Sequence, residues 1–378
     1  MTCRFEDRQA GVALSLHGAL ARLTACRAEE VAGVFAGIEA ARRAGHWVAV
    51  LADYELGEWL LPETQRAPAF ATAARQPRAE DDATRPRLTA LVFEHVSHET
   101  PWTQGEPASV VSITPQIERD DYLAAVTHIR GLIERGELYQ MNYTFPLKVH
   151  TAGGAEAVYR TLANRHPSAH AAFIEDAGRS VLSFSPELFL RRDGNRVTTR
   201  PMKGTAPRFE DPTLDQASGE QLQANTKDRA ENLMIVDLLR NDLGQLAAPG
   251  DVRVDALLTL EKYPSVWTLT STISADLPTT SFEAVMRALF PCGSITGAPK
   301  VAAMQHIRTL ESAPRGLYCG AIGWLAPNGN FSLNVGIRTL ILDDDGVGHY
   351  PVGGGIVYDS SPELEWQECL WKARVLTS

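Results

Sequence analysis

Three strand-like runs, AAFIEDAG, RSVLSFSPELFLRRDG and NRVTTRPMKG, follow one another from residue 171 to residue 204 with only short Gly-containing turns between them. Turns this tight join antiparallel neighbours, because a parallel pair needs a crossover of a dozen or more residues. A chain built round such a meander is not a doubly wound parallel sheet. Elsewhere the helical and strand patterns come in blocks. AEEVAGVFAGIEAARRAG reads as a helix ending at Gly45, followed by a strand from Trp47 to Leu51 and a second strand at LTALVFEHV. DDYLAAVTHIRGLIERGEL puts Tyr122, Val126, Ile129 and Ile133 on one helical face and stops at Gly136. YQMNYTFPLKV reads as a strand and AEAVYRTLANRHP as a helix; further helices are expected at about 227–241 and 300–311. NVGIRTLIL reads as one buried strand, and a strand, a glycine loop and a helix close the chain. Blocks of this kind, without βαβ alternation, place the chain in the α+β class. Residues 66–87, rich in Ala, Pro and charge without periodicity, read as a connector.

Of the 378 residues 44% are hydrophobic and 22% charged, an ordinary globular balance with room for one large domain or two moderate ones. The net charge of −10 offers no basic surface for a nucleic-acid backbone. The five cysteines, Cys3, Cys26, Cys292, Cys319 and Cys369, are never spaced as CxxC, which argues against zinc and a disulfide framework and fits a reducing cytosol. MTCRFEDRQA has no signal-peptide pattern and no apolar run approaches the roughly 20 residues of a membrane span, so a cytoplasmic protein is expected.

Several stretches carry possible chemistry. In NTKDRAENLMIVDLLRNDLG, Asp228 and Glu231 lie three apart on one helix; in SPELEWQECLWKA, Ser361 and Pro362 begin a helix on which Glu365 and Glu368 have the same spacing. Four carboxylates would suit a hard cation such as Mg²⁺ if the two helices meet, and solvated acidic faces if they do not. FPCGSITGAPK is a glycine-rich entry to a helix near Lys300, either an anion site or a tight turn with a cap, and it lacks the P-loop pattern. Gly353, Gly354 and Gly355 allow close approach of backbone to a ligand or another strand. Arg338 lies among Val, Ile and Leu and either snorkels or pairs with an anion, while Lys372 four residues after Glu368 suits a helix ion pair. Glu187, after Ser-Pro, becomes a candidate general acid if it is half-buried. Lys203, framed by Pro201 and Gly204-Thr205, is a nucleophile, an anion clamp or a turn residue.

The order of SFSPELFL, RPMKGTAPR, LMIVDLLRNDLG, PCGSITGAPK, IRT and the closing pair GGGIVY and SPELEWQECLWKA resembles that of the chorismate-utilising enzymes, which include anthranilate, aminodeoxychorismate, isochorismate and salicylate synthases. The resemblance covers roughly residues 115–378, taken as a chorismate-binding catalytic domain; residues 1–114 are expected to be a shortened N-terminal region packing on it, without the tryptophan-pocket motif of feedback-regulated members. It implies a large α+β fold of two packed antiparallel sheets flanked by helices, with chorismate and Mg²⁺ in one cleft. It implies Glu231 and Glu368 as Mg²⁺ ligands, with Asp228 and Glu365 acting as outer partners or through water. Arg338, Lys372 and the backbone at Gly297 and Gly353 to Gly355 would hold the substrate carboxylates, Thr205 would touch the ring, and Glu187 would protonate the leaving hydroxyl.

Two positions separate the branches of that family. Gln140 stands where the isochorismate and salicylate synthases resemble one another in carrying a water-activating lysine. Lys203 lies in P-M-K-G-T, similar to the P-I-K-G-T of aminodeoxychorismate synthases and unlike the P-I-A-G-T of anthranilate synthases. In that branch the resemblance implies attack of the lysine amine at ring carbon C2 as the C4 hydroxyl leaves, then addition of ammonia at C4. Such chemistry needs a neutral amine. Thr268 replaces the histidine that anthranilate synthases use in pyruvate elimination, and Asp228 replaces a more usual Glu. No G-x-C-x-G elbow of a glutaminase is found, so a glutamine amidotransferase subunit is expected to supply ammonia. Anthranilate synthesis and a non-catalytic chorismate-binding regulatory subunit are the competing expectations.

Overall fold

The computed structural model describes residues 1–66, 84–263 and 266–377, so most of the connector read at 66–87 lies outside the described residues. In chain order the first strands are β1 (Cys3–Asp7), β2 (Val12–Ala25), β3 (Trp47–Ala52), β4 (Leu88–Glu99), β5 (Ser109–Pro115) and β6 (Gln140–Ala152). The central meander is β7 (His170–Asp176), β8 (Arg179–Ser185), β9 (Leu188–Asp193), β10 (Arg196–Arg200) and β11 (Met202–Pro207). Then come β12 (Arg253–Lys262), β13 (Val266–Asp276), β14 (Gly297–Ala298), β15 (Ala321–Leu325), β16 (Phe331–Val335), β17 (Thr339–Asp343) and β18 (Val347–Ile356). The helices are α1 (Val31–Arg43), α2 (Leu56–Leu60), α3 (Arg119–Glu134), α4 (Ala155–Arg165), α5 (Pro212–Ala224), α6 (Thr226–Gly244), α7 (Phe282–Leu289), α8 (Lys300–Leu310) and α9 (Pro362–Lys372).

Among the described residues every strand pairing is antiparallel, and the strands form one hydrogen-bonded path with two arms. One arm runs β13–β10–β9–β16–β15–β3–β4–β2, with β11 and β12 also on β13. The other runs β1–β7–β8–β17–β18–β6, with β5 and β14 on β6. β1 pairs with both β2 and β7 and so joins them. Side chains alternate along the inner strands, and this is why WVAVLA and LTALVF are apolar at nearly every position. Val48, Val50 and Ala52 of β3 enter the main core beneath the helices. Ala49 and Leu51 face a smaller core with Leu91, Phe93, Ile174 and Val181, drawn from both arms. The result is the two-sheet, helix-flanked α+β architecture. Residues 1–114 are woven into it, since β1, β3 and β5 pair with β7, β15 and β6.

Four expected elements differ in detail. RSVLSFSPELFLRRDG is two strands, β8 and β9, parted at Pro186–Glu187, and NRVTTRPMKG is two, β10 and β11, parted at Pro201, where a proline has no N–H to continue the ladder. Leu132, and not Ile133, is the buried residue at the end of α3, because the face set by Tyr122, Val126 and Ile129 drifts toward i+3 there. NVGIRTLIL is not one strand: β16 ends at Val335 and β17 begins at Thr339, with Arg338 at φ 48° in the connection. Among the described residues no helix is long and apolar enough to cross a membrane.

Candidate active site

Two short passages of the chain between the arms shape the site, from β8 to β9 through Pro186–Glu187 and from β16 to β17 through Gly336–Arg338. The crossings brace each other: Val335 N donates to Glu187 O (3.1 Å) and Phe184 N to Arg338 O (2.9 Å), while Ser185 Oγ donates to Val335 O (2.6 Å). Where strands part to change sheets, side chains between them lose their neighbours and face a gap. Glu187 and Arg338 both line the cavity that results, about 280 Å³ in volume.

β11 closes another wall. Its register against β13 slips between Lys203 and Thr205, leaving Gly204 as the extra residue of a bulge at φ 76°, a conformation suited to glycine. The bulge turns Lys203 and Thr205 to the cavity. The Lys203 amine lies 3.3 Å from where a Cβ on Gly355 would stand, and that Cβ would also meet Gln140 Nε2 at 2.4 Å. Gly353, Gly354 and Gly355 of β18, paired with Thr144, Tyr143 and Asn142 of β6, therefore form a bare backbone wall. Gln140, just behind it, is fully buried with neither amide atom hydrogen-bonded.

The two acidic helices do meet at this cavity. Asp228 and Glu231 of α6 and Glu365 and Glu368 of α9 all line it, with Lys227 and Lys372. Lys372 bonds Glu368 Oε1 (2.8 Å) and the Gly353 carbonyl (2.7 Å), so one cation ties α9 to the glycine wall. The Ser361 side chain makes no capping bond; its neighbour Ser360 donates to Glu365 Oε1 at 2.6 Å.

Charge and burial give the groups different characters. Burial pushes the Glu187 carboxyl up to about 7, against the hydrogen bond from Ser294 (2.7 Å) and the nearby Lys203 and Arg338 charges. Burial also raises Glu231, opposed by Lys203 and Lys227, and raises Asp228 and Glu365, with Glu368 adding repulsion in all three cases. Glu368 is lowered, chiefly by Lys372. Burial works against the Lys372 charge, yet Glu368 and its neighbours carry the balance upward. Among the described residues the side chains of Lys203 and Arg338 have no hydrogen-bond or ion-pair partner. An unpartnered guanidinium, an unpartnered amine, a bare glycine backbone and a protonatable acid thus share one cavity, a set able to bind an anion and to move a proton.

Fitness for a cation can be judged from the donors. Among the described residues no three His, Cys, Asp or Glu side chains form a ready metal cage. Buried carboxylates on facing helices that raise one another are relieved by a positive ion, and Mg²⁺ asks for only one or two carboxylates besides substrate and water. The donor set fits.

Of the residues given a catalytic, substrate-binding or metal-binding part in the sequence analysis, Gly297 alone is absent from the cavity wall. Its φ is 149°, and a Cβ there would stand 2.3 Å from the Gln140 carbonyl, so it is needed for packing of β14 on β6. The glycine-rich loop contributes Ser294 and Ile295 instead, and Lys300 at the head of α8 pairs with Asp242 (2.5 Å) away from the cavity wall. Sequence reasoning missed Asn142, Thr144, Tyr318, Cys319 and Tyr350, whose only signal was membership of apolar strand or turn segments. Cys319, at φ 61°, repeats the left-handed backbone of Arg338 on the same wall, a kind of strain that gathers at functional sites.

The model of the chorismate binding enzyme family matches residues 14–378, which carries the likeness well beyond the motif-bearing part. Aminodeoxychorismate synthase component 1 of Salmonella typhimurium is 40% identical over 251 residues, 66% of this chain and 55% of that protein. The component 1 of Klebsiella aerogenes is 38% identical over 297 residues, 76% and 65% of the two chains. The chain thus spans between about half and two thirds of the length of these curated relatives. Anthranilate synthase component I from Streptococcus pneumoniae superposes with a TM-score of 0.76 at 25% identity, covering 88% of this chain and 81% of that one. By sequence and by fold, this chain belongs to the family of chorismate binding enzymes.

Proposed function

We propose that the chain performs the chorismate reaction of an aminodeoxychorismate synthase, converting chorismate and ammonia to 4-amino-4-deoxychorismate and water. The observation that carries this reading is the place of Lys203: an unpartnered amine on a glycine bulge, lining the same cavity as Glu187, Arg338 and the two acidic helices. Relatives bearing the name aminodeoxychorismate synthase component 1 support the same branch.

Arg338, Lys372 and the N–H groups of Gly353 to Gly355 hold the two substrate carboxylates, and Thr205 lies against the ring. The Lys203 amine forms a bond to C2, the two ring double bonds shift by one position, and the C4–oxygen bond breaks. Glu187, protonated below about 7, gives its proton to the departing hydroxyl, which leaves as water. Ammonia then bonds to C4, the double bonds shift back, and the lysine nitrogen departs from C2. The surplus proton of the new ammonium group returns to Glu187. The unpartnered Gln140 amide behind Gly355 keeps that side of the cavity polar without supplying a base to activate water.

Enzymes of this family are generally Mg²⁺-dependent. Here Glu231 and Glu368 would hold the ion, with Asp228 and Glu365 acting through water, and it would supply Lewis-acid help to the leaving hydroxyl. The component 1 names of the relatives imply a second component, and a glutamine amidotransferase delivering ammonia fits the reaction.

The test is incubation with chorismate, Mg²⁺ and an ammonium salt, followed by aminodeoxychorismate lyase. The expected product is 4-aminobenzoate, and Lys203→Ala yields none. Anthranilate or isochorismate, or chorismate bound without turnover, overturns the proposal.

A further inference from the structure

We infer that Thr268 is a positioning residue for Lys203, its hydroxyl pinning the glycine bulge that aims the lysine into the cavity. The inference rests on the functional reading above and adds a residue to it. Thr268 is fully buried on β13, and its Oγ1 donates to the carbonyl of Gly204 at 2.9 Å. In the β11–β13 ladder Lys203 faces Leu269 and Thr205 faces Thr268, so Gly204 has no partner residue across the strand. A bulge leaves backbone groups outside the ladder, and the carbonyl of the half-buried Gly204 needs a donor in place of the one the ladder would give. Thr268 supplies that donor.

The surroundings hold Gly204 from the other side. A Cβ on it would meet the Asp228 side chain at 3.0 Å, so the bulge is seated directly on α6. α6 is in turn fastened to the same stretch of β13: Asn232 Nδ2 donates to Leu269 O (3.3 Å), and Ser271 Oγ donates to Asn232 Oδ1 (2.6 Å). Helix, bulge and strand thus form one polar joint, in which the Thr268 hydroxyl grips the Gly204 backbone. Glycine itself resists rotation least of all residues. Without the hydroxyl the bulge is free to reorient, and the amine strays from the ring carbon it must reach.

Thr268→Val keeps the side-chain volume and removes the hydroxyl; Thr268→Ser keeps the hydroxyl. Amide hydrogen exchange across residues 202–207 is expected to rise about tenfold in Thr268→Val and to stay near wild type in Thr268→Ser. In ammonia-dependent turnover, kcat of Thr268→Val is expected to fall about tenfold with the chorismate KM within about twofold of wild type, and Thr268→Ser restores kcat. Unchanged exchange in Thr268→Val overturns the inference, as does a Thr268→Ser variant that behaves like Thr268→Val. The exchange measurement needs no substrate. If wild-type protein forms no 4-amino-4-deoxychorismate, the functional reading fails while exchange still decides whether Thr268 holds the bulge.

Discussion

Glu187 is buried, bonded to Ser294 and raised from an ordinary 4.5 to about 7. Its proton is held more tightly in the folded chain than in the unfolded one. The stability gained from that proton is complete at low pH and is lost as pH rises from 4.5 through about 7. Glu187→Gln, which cannot ionise, is therefore expected to match wild type near pH 4 and to exceed it by about 3 kcal/mol at pH 8 in urea unfolding. Turnover should show the complementary sign. Wild-type kcat falls as pH passes about 7 and the acid is lost, whereas Glu187→Gln is slow, by about a hundredfold or more, and lacks that limb. SFSPELFL suggested such an acid only on condition of burial. The condition is met by the crossing between β8 and β9, which no local pattern announces.

Among elements, the short β14 shows how closely the wall of the site is packed. Gly297 faces the Gln140 carbonyl with no room for a methyl group, and its φ of 149° is itself unfavourable for any other residue. Gly297→Ala is expected to cost about 2 kcal/mol or more by thermal unfolding. Gly354→Ala meets chiefly the flexible end of Glu365 at 3.0 Å, and should cost less than about 1 kcal/mol in the same assay. Both glycines looked alike in the sequence, as members of glycine-rich loops. The difference lies in what the neighbouring strand places opposite each one. The acidic helices make the same point: their i, i+3 spacing was plain, and whether they faced one another depended on where β13 and β18 set α6 and α9.

At the scale of the molecule, a buried charge network ties the N-terminal strands to the site. Arg315, under the ring of Tyr54, donates to the carbonyls of Asn142 (2.9 Å) and Ile295 (3.0 Å), while Glu311 pairs with it at 2.7 Å and accepts from Thr144 N (3.0 Å). Glu55, from the turn after β3, accepts from the backbone N–H of Arg315 (2.8 Å) and of Gly316 (3.0 Å). Arg315→Met strands Glu311 in the core, and is expected to cost about 3–5 kcal/mol in urea unfolding, with a rise in chorismate KM as the Asn142 and Ile295 wall relaxes.

The sequence by itself determined the antiparallel α+β class, because turns of two or three residues leave no other pairing, and it ordered the motifs in which Glu187, Lys203, Arg338 and the four helix carboxylates stand. Those are local facts, carried by period, turn chemistry and residue type. Only the tertiary structure decided that Gly297 packs while Gly353 to Gly355 line the cavity, that Arg338 sits in a left-handed connection instead of a strand, and that Thr268 holds the Lys203 bulge. Each depends on which backbone comes to lie opposite, and residues far apart in the chain, such as Gln140 and Gly297 or Gly204 and Thr268, leave no mark of that meeting in their own neighbourhoods.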